Sequence, residues 1–389
     1  MQGKRAELKR LLLAQWRQLV TINPSDRPWQ KPFAAALASG LPLLIGTLLG
    51  RMDYGLVAAL GGLVYLYTPR TPLYHRMLTV MSCAFAMIAC YTLGLLSHLV
   101  PLLMMPTLVF VTILVTMASR FYGLGPPGSL FFVMAASIGA YTPLPWEQVP
   151  LMVGLLAMGA LLACLIAFFY SAYILRSREP DPAPPLPAPT FDFVVFDAVV
   201  IGLCVGLALA IAQLLQLEKA YWVPVSCLAV IQGASLQAVW NRHLQRLLGT
   251  AIGLLLAWGL LLLPLERWNI VLAMMLLVFV VETAVVRHYG FAVIFITPMT
   301  ILLAEAATLG QSPVAPLIEA RFYDTLLGCV VGLAGGACIH SVRFRAVAGR
   351  QLRRLVPARF TRQGLYEASA ERRSGTTKSG EDAEFTGRK

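Results

Sequence analysis

The chain has 389 residues, 58% of them hydrophobic and only 13% charged, with a mean hydropathy of +0.71. Soluble domains carry about 25% charged residues, so a water-soluble globular protein is excluded. The net charge of +12 does not point to nucleic acid, because the basic residues gather at the two ends and stand singly between apolar blocks, as in a membrane protein that keeps its basic loops in the cytoplasm.

The apolar blocks are continuous and rich in Leu, Ala and Val rather than alternating, so they read as helices. Only helices and closed barrels satisfy their own backbone in lipid, and a spanning helix needs about 20 apolar residues. In chain order, residues 5–20 are basic and amphipathic and suit a helix lying on the cytoplasmic membrane face. A polar stretch, 21–31, follows in place of a signal cleavage site. Spans are predicted at 32–50, 54–69, 77–97, 100–118, 127–143 and 150–175, then at 192–215, 221–238, 244–264, 268–285, 291–308 and 318–340.

Basic residues test this count. The loops expected in the cytoplasm carry Arg70 and Arg76, Arg120, Arg176 and Arg178, Arg242 and Arg246, Arg287, and the tail from Arg343 onward. The opposite loops carry Arg51, Lys219, Arg267 and Arg321, mostly beside an acid. This alternation predicts an all-α integral membrane protein of about twelve transmembrane helices, with both termini in the cytoplasm of a bacterial cell and the chain in its inner membrane.

The two sets of spans repeat. Ser119-Arg120-Phe121-Tyr122-Gly123 aligns with Val286-Arg287-His288-Tyr289-Gly290, and Asp53-Tyr54 aligns with Ala220-Tyr221 at the same offset. Each set has an even number of spans, which makes two parallel six-helix repeats. The organisation predicted is a cytoplasmic amphipathic segment (1–31), a first membrane repeat (32–176), a Pro-rich cytoplasmic linker (177–191), a second membrane repeat (192–341) and a basic, largely disordered tail (342–389).

Short or Gly/Pro-broken spans at matching places in two repeats point to a transport site. Here the second and fifth spans qualify, through Pro224, the Gly125-Pro126-Pro127-Gly128 run and Thr297-Pro298. Tyr65, Phe131 and Trp222 lie near these breaks with Tyr54 and Tyr221. They suit stacking on an aromatic substrate, and Tyr54, Tyr221 and Trp222 suit equally an interfacial aromatic belt.

Arg76 and Arg246, and Arg120 and Arg287, occupy paired cytoplasmic span ends. They read either as topology signals or as an electropositive vestibule that collects organic anions. Four intramembrane or near-membrane charged groups complete the candidates. Arg321 and Asp324 have the spacing of an ion pair along one helix face. Asp197 is placed to meet Lys31 across the repeats. Glu282, five residues before Arg287, has no partner well placed along its own helix and is the expected proton carrier. The seven cysteines lie in apolar blocks without ligand spacing, and no catalytic triad, metal motif or phosphate loop occurs. No enzyme activity, metal or cofactor is expected.

Tyr221-Trp222-Val223-Pro224, Gln232, Arg246-Leu247-Leu248-Gly249-Thr250 and Gly253, together with Arg321-Phe322-Tyr323-Asp324-Thr325-Leu326-Leu327-Gly328, resemble the fusaric acid resistance and aromatic acid exporter family. The resemblance lies mainly in the second half. It implies an inner-membrane efflux protein for aromatic carboxylates or related toxic anions. It also implies kinship with plant organic-anion channels, so a malate-type channel is the alternative. Expected partners are the lipid bilayer, a small organic anion and a periplasmic membrane-fusion protein, with no nucleic acid.

Overall fold

The computed structural model describes residues 21–185, 190, 192–263, 266–305 and 314–355, the side chains of 304, 305 and 353–355 excepted. The amphipathic segment 5–20 and the tail beyond 355 lie outside the described residues, as does part of the Pro-rich linker. All regular elements among the described residues are helical. They are α1 (Gln30–Leu48), α2 (Met52–Gly62), α3 (Leu73–His98), α4 (Met104–Phe121), α5 (Leu130–Ala140) and α6 (Val149–Ile174). After the linker come α7 (Asp197–Leu214), α8 (Trp222–Ile231), α9 (Leu236–Leu261), α10 (Arg267–Ala284), α11 (Tyr289–Glu305), α12 (Val314–His340) and α13 (Val342–Leu355).

Eight of these helices are long and apolar enough to cross a membrane. In three of the other four apolar segments the α-helix is shorter than the span predicted from sequence, and each has a local cause. α2 tightens into a 3₁₀ turn over Leu63–Tyr67. α5 starts only after the Gly-Pro-Pro-Gly run, where Gly128 takes φ +61°. α8 stops at Ile231, and Ser235 then caps α9 by accepting from the Ala238 N–H at 3.1 Å. In the fourth, α11 runs through Pro298 to Glu305, the last described residue before 314.

The short helices can be short because protein surrounds them. All ten residues of α8 are buried, as are most of α2 and α5. Their open ends therefore meet other helices rather than hydrocarbon, the condition for broken helices at membrane depth. The long helices keep an outward apolar face, with Leu161, Leu255 and Leu272 each more than 60% exposed.

The helix lengths run 19, 11, 26, 18, 11 and 26 residues in the first half and 18, 10, 26, 18, 17 and 27 in the second. Packing partners match as well. α2 packs on α1 and α6, and α8 packs on α7 and α12. α3 packs on α5 and α6, and α9 packs on α11 and α12. Between the halves α1 meets α10 while α7 meets α4, and α5 meets α8 while α11 meets α2. The linker leaves and re-enters at one end of the bundle. There Asp181 donates its N–H to the Arg70 carbonyl at 3.0 Å, and Arg178 bonds the Asp26 carbonyl at 3.0 Å. This is called the linker end below.

Without a hydrophobic drive between helices in lipid, close packing needs small residues at the contacts. Gly159 on α6 lies against the Ala58 backbone of α2, and Gly328 on α12 lies against the Val223 backbone of α8. A Cβ on Gly159 would overlap the Ala58 carbonyl, whereas Gly154 on the same helix has open space. Gly159→Leu is therefore expected to lose ~1–3 kcal/mol through overpacking, and Gly154→Leu to lose nothing measurable. Thermal unfolding of the two purified variants in one detergent checks this.

Candidate functional site

The seam between the halves carries ion pairs at its linker end. Arg27, just ahead of α1, places Nη1 2.6 Å from Glu282 Oε2 on α10 and 2.9 Å from the Glu282 carbonyl. At the matching seam, Arg120 of α4 places Nη1 2.6 Å from Asp197 Oδ2 on α7 and 2.8 Å from the Phe193 carbonyl. Arg345 of α13 pairs with the other Asp197 oxygen. Both carboxylates are under 10% exposed. A buried charge is tolerated when paired and hydrogen-bonded, and each of these acids has its cation on the other half or on α13.

Glu282 does not pair with Arg287 on its own helix, in keeping with the five-residue spacing, and finds its partner on another segment. Five helical residues turn the chain through about 140° beyond one full turn, so Glu282 faces away from Arg287 and toward the residue ahead of α1. One expectation is corrected here: Asp197 does not meet Lys31. The lysine Nζ donates instead to the Thr68 carbonyl at 2.7 Å, inside the first half. Arg27 was not singled out from sequence, because it sits in a polar stretch 255 residues from its partner.

The four paired arginines have separate surroundings. Arg76 is buried on α3, bonds the Thr71 carbonyl at 2.5 Å and lies near Tyr65 and Tyr170. Arg246 is buried at the like place on α9, near Cys329 of α12. Arg120 serves the seam. Arg287 is exposed and lines an outer groove. In this conformation they do not share one vestibule.

A polar cluster crosses the seam where the short helices meet. Gln232, at the end of α8, donates to the Ser129 hydroxyl at 2.7 Å, and Thr116 of α4 donates to the same oxygen at 3.1 Å. Tyr67 donates to the Gly128 carbonyl at 2.8 Å, with Phe131 edge-on to its ring at 6.2 Å. Tyr65 is fully buried, edge-on to Tyr170 at 5.9 Å. Ser129, Thr116 and Tyr67 gave no sequence signal, since hydroxyls are common in membrane helices.

Toward the opposite end lies a cation on an aromatic face. The Arg321 guanidinium of α12 sits 3.7 Å above the Trp222 ring, and its Nη2 bonds the Thr300 hydroxyl of α11 at 3.0 Å. Arg321 and Trp222 are 3% and 2% exposed. Trp222 is thus no member of an interfacial belt: it starts a helix that is enclosed all round. Tyr221 packs on it at 5.2 Å and reaches Tyr141 of the first half at 5.8 Å. Gln213 donates to the Tyr141 hydroxyl at 3.0 Å.

Asp324, one turn after Arg321, is 0% exposed, and neither oxygen has a hydrogen-bond partner among the described residues. The ion pair expected between the two does not form. The guanidinium lies instead on the Trp222 ring and against the Thr300 hydroxyl of α11, contacts with neighbouring helices that take it off the i,i+3 line. The charges nearest to Asp324 are those of Arg321, Lys219 and Glu218. A stacked guanidinium beside an unpartnered buried carboxyl is a place where a ligand or a proton completes the bonding.

Residues 207–335 match the family model described as fusaric acid resistance protein-like. The second half of the chain carries a fusaric acid resistance-like domain. That domain contains Trp222, Gln232, Glu282, Arg321 and Asp324, and the chain is a multi-pass membrane protein. A stretch of 146 residues is 30% identical to the uncharacterized membrane protein YvaC of Bacillus subtilis (strain 168). It covers 38% of this chain and 23% of that relative, so the chain matches about a quarter of the relative's length. No solved structure matches.

The two carboxylates of the domain should respond differently to neutralisation. Glu282→Gln removes a charged hydrogen-bond partner from Arg27 and is expected to cost ~1.5–3 kcal/mol. Asp324→Asn removes a carboxylate that receives no hydrogen bond and is expected to leave stability unchanged or raised. Unfolding midpoints of both purified variants, compared with the wild type, check the ordering.

Proposed function

We propose that this protein is an inner-membrane exporter of small organic anions, aromatic carboxylates above all. On this reading it has twelve spans, arranged as two parallel six-helix repeats with the linker end in the cytoplasm. The paired helix lengths, the matching packing partners and the basic residues of the linker-end loops support the layout. The fusaric acid resistance-like domain supports a transport role.

The observation that carries the substrate class is Arg321 on Trp222. An aromatic carboxylate needs a cation for its charge and a flat face for its ring. A guanidinium suits carboxylate through its planar fork, and an aromatic face holds both it and a ring. Arg321 binds the carboxylate, Trp222 with Tyr221 receives the ring, and Tyr141 brings the first half into the same site. Gln232 and Ser129 line the route across the seam. The pairs Arg27–Glu282 and Arg120–Asp197 hold the linker end closed, and loading from the cytoplasm requires the halves to part there. Export of an anion is helped by a potential negative inside, at about 2.3 kcal/mol per charge per 100 mV. Uphill export coupled to protons needs an ionisable group in the spans. Asp324 suits that role better than Glu282, whose carboxylate is held by Arg27.

Purified full-length protein in liposomes, with radiolabelled 4-hydroxybenzoate as probe, tests this. Saturable flux is expected. Arg321→Gln and Trp222→Leu should each reduce it at least tenfold, and Asp324→Asn should remove its dependence on a pH gradient. Downhill flux with unitary currents would make the protein a channel, and the absence of flux for any aromatic carboxylate would sink the assignment.

A further inference from the structure

The residues ahead of α1 do not run free along the bundle. The Asn23 N–H bonds the Arg287 carbonyl at 2.9 Å, and Arg27 grips Glu282, so residues 22–29 lie against the end of α10. A groove forms between them and the outer face of α10 and α11. Its larger part, about 500 Å³, is lined by Ile22, Phe279, Val280, Ala284 and Phe291, with Arg287 and His288 at one edge. A smaller pocket of about 100 Å³ adjoins it, sharing Phe279, Thr283 and Arg287, and adds Ser25, Arg27 and Trp29. The apolar part therefore grades into a pocket lined by two arginines.

We propose that this groove holds one anionic phospholipid, its acyl chain along Phe279, Val280 and Phe291 and its phosphate between Arg287 and Arg27. Three features fix the occupant. The polarity gradient runs in the order of an amphiphile, tail then head. Glu282 pairs with Arg27, while Arg287 has no acid partner among the described residues and so offers a positive charge to a phosphodiester. Trp29, 65% exposed on the wall of the small pocket, marks headgroup depth, where amphipathic rings sit. Basic pockets between helices at such a depth favour anionic over zwitterionic headgroups. The lipid head then rests beside the Arg27–Glu282 pair, on the seam between the halves. The inference is independent of the transported substrate and stands whatever the protein carries.

Native mass spectrometry of the full chain in detergent, titrated with phosphatidylglycerol, phosphatidylcholine or inorganic phosphate, tests it. Phosphatidylglycerol is expected to bind at least tenfold more tightly than phosphatidylcholine, and inorganic phosphate should not displace it. Arg287→Gln should bring phosphatidylglycerol down to the level of phosphatidylcholine, and Thr283→Trp should weaken both, while Arg350→Gln on the exposed face of α13 changes neither. Equal binding of the two lipids, or phosphatidylglycerol binding indifferent to both groove variants, would overturn the proposal. A photo-crosslinking residue at Val280 of the full chain adds a separate readout. Crosslinks to lipid support the proposal. Crosslinks to residues 1–20 or to a second copy would replace it.

Discussion

Every backbone polar group inside a bilayer must find its partner within the protein. That constraint shapes the rest of this molecule. Three apolar helices, α2, α5 and α8, are too short to carry their own ends to water, so the chain encloses them behind longer ones. Enclosure in turn demands close contacts, met by glycines such as Gly159 and Gly328 against the backbones of the short helices α2 and α8. It also leaves polar groups at the short ends, and the bonds from Gln232 to Ser129 and from Tyr67 to Gly128 satisfy them across and within the halves. The region where a membrane protein can hold a polar solute is thereby the region where its own short helices end.

The same economy governs charge. The buried seam acids, Asp197 and Glu282, are bonded by arginines from beyond their own helix, at the linker end of two equivalent helix contacts. The polarity is reversed between the two seams: the base precedes α1 and the acid lies on α10, whereas the acid lies on α7 and the base on α4. Such pairs gain strength from partial burial yet can be exchanged for water if the halves separate, which makes them suitable fastenings for a moving seam. Arg321 is handled differently. Its guanidinium lies on the Trp222 ring and donates to Thr300, and Asp324 nearby has no hydrogen-bond partner among the described residues. A group kept buried in this way against its solvation preference is a candidate for function rather than for stability.

Much of the helical content was legible in the sequence, because long apolar runs have few alternatives in lipid. The described residues are helical through most of each apolar block, with eight helices long and apolar enough to span a membrane, and the Gly125-Pro126-Pro127-Gly128 break delays α5 as those residues dictate. Partners were less legible. Spacing along one helix suggested that Arg321 holds Asp324, which the structure does not show, and that Glu282 does not pair with Arg287, which it does show; the Arg27 partner of Glu282 was not foreseen. The reason is geometric: ion pairs between helices join residues such as Arg27 and Glu282, 255 positions apart, and hydropathy carries no record of which faces meet. Trp222 looked like a belt residue from its place at a span boundary, but α8 is enclosed on every side and its first ring is as buried as its last residue. Arg76 and Arg246 were legible as a matched pair, yet they sit inside their own halves rather than in a common vestibule.

The central claim is that the halves part at the linker end, where the seam ion pairs now hold them together. The most direct measurement is transport by a chain carrying Arg27→Cys and Glu282→Cys, with the native cysteines replaced, joined by a short thiol cross-linker and reconstituted in liposomes. Flux of 4-hydroxybenzoate should fall to background when the linker is closed and return when a cleavable linker is reduced. Flux at the uncross-linked rate with the seam covalently closed would contradict it.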